Sequence, residues 1–232
     1  YSVKLVGYQG HVIPVILSVW VMSFVEKKLH KVVPEMLDLF VVPLASVLAS
    51  GIVALLIVGP IFGQLETWVL QGASWLISVP FGIGGFFVGA IYAPTVVAGV
   101  HHMYNLIEQG FLSNGGANVW MPIATAVNVA QGAAALAVAL KTRNKKLKSK
   151  AVPAALSAYM GITEPAIFGV NIRYKRPFIA GMIGGAVGGL FAALTHVGAS
   201  AYGVTGIFGI LITVPNSELG LGVWNIVNYI PV

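Results

Sequence analysis

The chain has 232 residues, 57% hydrophobic and only 9% charged, with a mean hydropathy of +0.88 and a formal net charge of +6. A soluble domain carries about 25% charged residues, so this chain cannot cover a water-facing surface, and an all-α polytopic membrane protein is expected. The absence of cysteine excludes disulfides, thiolate metal sites and thiol nucleophiles.

The thirteen basic residues are clustered rather than scattered. Six fall in 141–150, three in 173–176 and three in 27–31, while Val32 to Leu140 holds no Lys or Arg. Basic clusters of this kind hold loops on the cytoplasmic side. The positive charge is therefore a topology signal, and nucleic-acid binding is not expected. Tyr1 begins mid-pattern without a signal peptide, and Trp224 to Val232 stops within an apolar stretch. A piece of a longer protein is expected.

Tyr8 to Val25 is a short spanning candidate with Pro14 as its kink, and it ends in the basic patch around Lys27, Lys28 and Lys31. Val32 to Phe40, with Glu35 and Asp38, reads as an amphipathic interfacial helix. Val41 to Phe62 is an uncharged span closed by Gly59-Pro60, and Leu65 to Val79 a short or tilted crossing with Trp68 and Trp75 at the interface. Gly82 to Val100 is rich in small residues that allow close helix approach, and Pro94 near its middle can break the helix. It runs into His101-His102. A polar stretch follows from Asn105 to Asn118, with a Ser113-Asn114-Gly115-Gly116 turn. Val119 to Leu140 is the next span, carrying Asn128 and Gln131 as buried amides, and Pro177 to Val197 is a further Gly/Ala-rich span. Ala199 to Val214 is apolar but interrupted by glycines. The patches at 27–31 and 141–150 require an even number of crossings between them.

Between Lys150 and Arg173 lie twenty-two residues with one side chain that is charged at neutral pH, Glu164. Both flanks are basic. One crossing would put them on opposite sides, and two would need roughly 40 residues. A re-entrant hairpin with Thr163-Glu164-Pro165 near its tip satisfies both limits, because broken backbone is tolerated at membrane depth where protein or a water-filled cavity surrounds it. The hairpin would present a carboxylate to a polar ligand, although a lone intramembrane acid can also simply tie two helices together. His101 and His102 are the second polar feature. On a helix they would point about 100° apart, so one of them is expected to face the cavity. Their spacing does not suit a metal, and no metal or other cofactor is expected.

A carboxylate, an imidazole and the amides of Asn128, Gln131 and Asn171 suit a neutral polyhydroxylated ligand, since carboxylates accept from hydroxyls and amides both donate and accept. A cation site would gather several acids, and an anion site would hold an intramembrane Arg or Lys. The residues thus point to a carrier for a neutral polar solute, with a sugar foremost.

The run Gly161-Ile162-Thr163-Glu164-Pro165-Ala166-Ile167-Phe168-Gly169-Val170-Asn171 resembles the signature of enzyme IIC, the membrane component of bacterial sugar phosphotransferase systems, in its glucose/glucoside/sucrose branch. Tyr8-Gln9-Gly10 with Val12-Ile13-Pro14, Glu26-Lys27 with Val33-Pro34-Glu35, Leu37-Asp38-Leu39, and Gly99-Val100-His101-His102 agree with it in order. The segments Leu140 to Ser149 and Val152 to Ala158 are most similar to sucrose-specific members. The resemblance implies a partial IIC fold: one membrane-embedded domain over 1–232, with scaffold-like spans in 8–62 and a sugar-binding transport part in 82–214. It implies a homodimer in lipid, in the bacterial inner membrane, whose disaccharide substrate is phosphorylated by a phosphocysteine on a separate IIB domain.

On matching positions it implies that Glu164 holds sugar hydroxyls, that a histidine of the 101–102 pair binds the same hydroxyls and helps activate the attacking oxygen, and that Asn171 is a sugar contact or a brace of the hairpin. From the residues themselves, Thr163, Asn128 and Gln131 are further candidate sugar contacts. Arg173 reads as a topogenic residue or, less simply, as a contact for the incoming phosphoryl group. The early spans of the family and the IIB segment are not represented in this sequence. Sucrose is the leading substrate, with trehalose and β-glucosides as alternatives. Outside the family, the rivals are an ion-coupled sugar carrier and a sugar receptor that does not transport.

Overall fold

The computed structural model describes residues 12–216, 221–222, 224–230 and 232, so the Tyr8-Gln9-Gly10 block lies outside it. The chain divides into two compact units, residues 1–71 and 72–232.

In the first unit, α1 (Val12–Leu29) packs on α2 (Glu35–Val53). His30 Nδ1 lies 2.7 Å from Asp38 Oδ1 and ties the turn after α1 to the first turn of α2. Glu35 and Asp38 sit where the positive end of the helix dipole favours acids. The helix begins at Glu35 and runs straight into the span, with Val32 and Val33 left in the preceding turn, so the separate interfacial helix expected over Val32 to Phe40 does not form. Nor does Gly59-Pro60 close the span. A π-turn at Ala54–Val58 leads directly into α3 (Gly59–Ser78). Pro60 cannot donate to the carbonyl one turn back, and the wider turn takes up that lost bond. The crossing expected at Leu65 to Val79 is the second half of this 20-residue helix.

In the second unit, α4 (Ile83–Val97), α6 (Trp120–Lys141) and α10 (Arg176–Leu194) pack against one another. The sequence has small residues where these helices meet. A Cβ added at Gly85 would run into the Gly189 carbonyl, and one at Gly89 into that of Gly185. Two four-residue glycine spacings thus face each other, as close backbone approach requires. Pro94 does not break α4. It sits in the last turn, where its missing N–H removes a single bond, and Ala98 N still bonds to Pro94 O at 3.0 Å. The helix ends instead at Gly99, whose φ of +73° suits glycine.

The stretch read as polar loop is largely α5 (Tyr104–Ser113). Ile107 and Glu108 face inward from it, 5% and 4% exposed. Asn118 Oδ1 then accepts from Trp120 N and Met121 N at 3.1 and 3.2 Å and caps α6.

Four helical stretches are long and apolar enough to cross a membrane among the described residues: Glu35–Val58, Pro80–Val97, Trp120–Lys141 and Arg176–Leu194. Three lie between the basic patches at 27–31 and 141–150.

The hairpin forms. Its descending arm is α7 (Lys145–Tyr159), capped by Asn144 Oδ1, which accepts from Lys146 N and Leu147 N. The alanines Ala151, Ala154, Ala155 and Ala158 pack α7 against Ala135 and Ala139 of α6. The tip turns at Gly161, where φ is +99°. The returning arm is α8 (Glu164–Ala166), a π-turn at Ile167–Asn171 and α9 (Ile172–Tyr174). The short helix α11 (Trp224–Tyr229) sends Tyr229 Oη to Thr125 Oγ1 and to the Gly206 carbonyl.

Candidate functional site

Glu164 opens the returning arm. Pro165 behind it can occupy a first helical turn without wasting a donor, and the helix dipole favours an acid at that end. The Glu164 side chain is 44% exposed, so the tip presents its carboxylate rather than burying it. His101 Nε2 lies 3.5 Å from Glu164 Oε1. Sixty-three residues apart in sequence, the two candidate groups share one site.

The histidines sit on a 3-10 turn, Val100–Met103, between α4 and α5. Their rings do not diverge as they would on an α-helix. Their centroids lie 4.0 Å apart with the planes tilted by 35°. The His101 side chain is 16% exposed while His102 is open to the surroundings. Burial pushes the His101 pKa below its ordinary value and His102 adds to the effect, with Glu164 pulling the other way. His101 is therefore neutral at neutral pH. With its hydrogen on Nε2 it offers a donor to the carboxylate, and its buried Nδ1 has no partner among the described residues.

The candidate amides lie behind the carboxylate and bind the hairpin to α6. Asn128 Nδ2 donates to the Gly161 carbonyl at 3.3 Å and to Thr205 Oγ1 at 2.8 Å, and Asn128 Oδ1 accepts from Thr163 Oγ1 at 3.3 Å. One turn further along α6, Gln131 accepts from Asn171 Nδ2 through both its backbone and side-chain oxygens, at 2.9 and 2.8 Å. Gln131 Nε2 donates onward to the Phe178 carbonyl on α10. Asn171 and Gln131 are fully buried, and Thr163 and Asn128 nearly so. Glu164, His101 and His102 thus come together at an accessible tip, while the four neutral candidates form two rungs inside the protein. Arg173 is exposed on the far end of the returning arm, away from the carboxylate.

Several contributors were not singled out from sequence. Tyr104 donates to Thr95 Oγ1 at 2.8 Å, and its ring lies 4.9 Å from Tyr92 and 5.0 Å from Trp120. Its place three residues after His101 was the available signal. Glu108 is 4% exposed, with Asn118 Nδ2 at 3.4 Å. Burial raises its pKa to about 7, against the opposing hydrogen bonds from Asn118 and the Gly203 backbone. Thr205 fills the hollow at Gly161, where a Cβ would meet its Oγ1 at 2.7 Å. Nothing in the sequence marked it. No group of three His, Asp or Glu able to hold a metal occurs among the described residues.

The arrangement is a half-exposed carboxylate beside a neutral imidazole, on a rigidly braced hairpin. It can accept hydrogen bonds from hydroxyls and exchange a proton with one of them.

The family model "Phosphotransferase system, EIIC" matches residues 2–185. A "PTS system sucrose-specific EIIBC component" of Bacillus subtilis is 45% identical over 230 residues, covering 99% of this chain and 49% of the relative. One of the same description from Salmonella typhimurium is 44% identical over 94% of this chain and 48% of the relative. A "PTS system MurNAc-GlcNAc-specific EIIBC component" of Staphylococcus haemolyticus is 37% identical over 88% of this chain and 43% of the relative. The chain spans about half the length of the curated relatives it matches. No solved structure matches it.

Proposed function

The chain belongs to the phosphotransferase system EIIC family, and we propose that it forms the membrane-embedded part of a sugar permease that couples uptake to phosphorylation, with sucrose as the leading substrate. It is a multi-pass protein of the bacterial inner membrane. The juxtaposition of Glu164 and His101 carries the reading, because it gives a neutral hydroxyl-bearing ligand an acceptor and a proton-exchanging partner at one accessible point.

In this reading the Glu164 carboxylate accepts hydrogen bonds from sugar hydroxyls and fixes the one to be phosphorylated. His101 supports that carboxylate or takes the proton the attacking oxygen gives up. The phosphoryl group comes from a cysteine of a partner IIB domain: its S–P bond breaks as the O–P bond to the sugar forms. Thr163, Asn128, Gln131 and Asn171 serve the same site by holding the hairpin tip against α6. A homodimer in which residues 82–214 carry the sugar past a scaffold that includes 8–62 completes the proposal. Relatives described as sucrose-specific, and one described as MurNAc-GlcNAc-specific, support a disaccharide substrate with sucrose foremost.

The test is phosphoenolpyruvate-dependent phosphorylation of labelled sucrose by membranes carrying the full-length protein with the soluble phosphotransferase components. Trehalose and a β-glucoside run alongside. Sucrose phosphate formed only with this protein is the expected result. Preference for another sugar would keep the mechanism and replace the substrate. Uptake that needs a proton gradient and persists without phosphoenolpyruvate would overturn the reading.

A further inference from the structure

Between α6 and α10 runs a groove of about 550 Å³ that the sugar site does not use. Its floor is Ala134, Ala137 and Val138 on one helix and Ala180 on the other. Its mouth carries Lys141, the last residue of α6, and Arg176, the first of α10. From Ala134 to Lys141 is about 10 Å along the helix, so the apolar floor lies below the cations by part of an acyl chain's length. Both walls belong to stretches able to cross a membrane.

Among the described residues the two cations have no acid to answer them. Glu164 is the one acid between Glu108 and Glu218, and it stands beside His101. Neither Lys141 nor Arg176 has an ion-pair partner among the described residues. Tyr174, half-exposed on the rim, also lines a neighbouring cleft that holds Lys146, Lys150 and Arg173, so the positive field continues past the groove. A tyrosine at this level suits the boundary between chain and headgroup.

We propose that this groove is a binding site for an anionic phospholipid of the cytoplasmic leaflet, its phosphodiester held by Lys141 and Arg176 and one acyl chain lying on the alanine floor. A basic pocket between transmembrane helices at the cytoplasmic face has the polarity of such a site. The alanines supply the space: larger side chains at 137 and 180 would fill the groove and leave nowhere for a chain. Water is a poor occupant, because the floor offers it no partners. The site is separate from the hairpin tip, so it stands or falls independently of the sugar reading.

Native mass spectrometry of the full-length protein in detergent, titrated with phosphatidylglycerol or with phosphatidylcholine of the same chains, tests the proposal. The wild type should retain a phosphatidylglycerol that phosphatidylcholine and inorganic phosphate do not displace. Lys141→Gln with Arg176→Gln should weaken that retention roughly fivefold per cation removed. Ala137→Leu with Ala180→Leu should abolish it while leaving both cations in place. Lys27→Gln with Lys28→Gln removes as much charge from the first basic patch and should leave it unchanged. Equal retention of the two lipids, or retention undiminished in either groove variant, would overturn the site. So would a change of oligomeric state in the alanine variant without any loss of lipid, since the groove would then hold protein. Monodisperse elution of each variant confirms that it is folded before its lipid is counted.

Discussion

Asn128 Nδ2 donates to Thr205 Oγ1 at 2.8 Å, bridging 77 residues of sequence and fixing the hairpin tip between α6 and the glycine-rich segment after α10. The same amide holds the Gly161 carbonyl and the Thr163 hydroxyl, so it is the hub of the tip. Asn128→Ala strips the buried Thr163 hydroxyl of its acceptor and leaves the Gly161 carbonyl with the Thr205 hydroxyl alone, and should cost about 1–3 kcal/mol. Thr205→Val should cost less. In a double-mutant cycle followed by thermal unfolding in detergent, the two losses should fall short of additive. Strict additivity would show that the bridge contributes nothing.

Glu108 makes stability depend on pH. Burial raises its folded-state pKa from 4.5 to about 7, so between those values the folded protein holds a proton that the unfolded chain gives up. Its contribution is complete below pH 4.5 and is lost as the pH rises through 7, a fall on the order of 3 kcal/mol. The midpoint of thermal unfolding should therefore drop between pH 5 and 8 in the wild type. Glu108→Gln keeps an acceptor for Asn118 and should flatten that slope. An unchanged slope would place the titrating group elsewhere.

The two histidines should separate in function. His101 is the one within 3.5 Å of Glu164, so His101→Asn should reduce sugar phosphorylation at least tenfold. His102→Asn should have a smaller effect, acting through the stacked ring. The measurement is initial rate at saturating sugar together with the concentration for half-maximal rate, in each variant. Glu164→Gln should lose phosphorylation or sugar binding while eluting as folded protein.

Gly85→Ala and Gly189→Ala each force a methyl group against a backbone carbonyl at the meeting of α4 and α10. Overpacking of this kind costs about 1–3 kcal/mol. Gly72→Ala, whose added Cβ meets nothing within 4 Å, should be neutral or slightly stabilising. Thermal unfolding of the three variants side by side checks the contrast.

Much of the second unit was legible because its signals are local. The basic flanks and the twenty-two-residue interval fix the hairpin, since charge and bilayer thickness leave little else. The glycine spacings announce a close helix contact because a missing side chain has one obvious use. The lone acid at Glu164 stood out for the same reason. What stayed illegible depends on partners distant in sequence. Glu108 lay in a run that reads as polar loop, and two of the groups it interacts with, Tyr92 and the Gly203 backbone, lie elsewhere in the sequence. Thr205 is an ordinary threonine until Gly161 is placed beside it. Pro94 and Pro60 misled in the opposite direction. A proline predicts a lost hydrogen bond, but whether the helix ends there depends on how near its end lies and on whether a wider turn can absorb the loss.

The π-turn at Ile167–Asn171 has a consequence for how the returning arm is phased. Such a turn is an α-helical stretch carrying one surplus residue, and Gly169 within it is exposed, with open space where a side chain would be. Deleting Gly169 would let the arm relax to regular helix. Asn171 would keep its rung on Gln131, and everything ahead of it would rotate by about 100°. Glu164 would then swing off the face that meets His101. The surplus residue sets the angular register between the brace at one end of the arm and the carboxylate at the other.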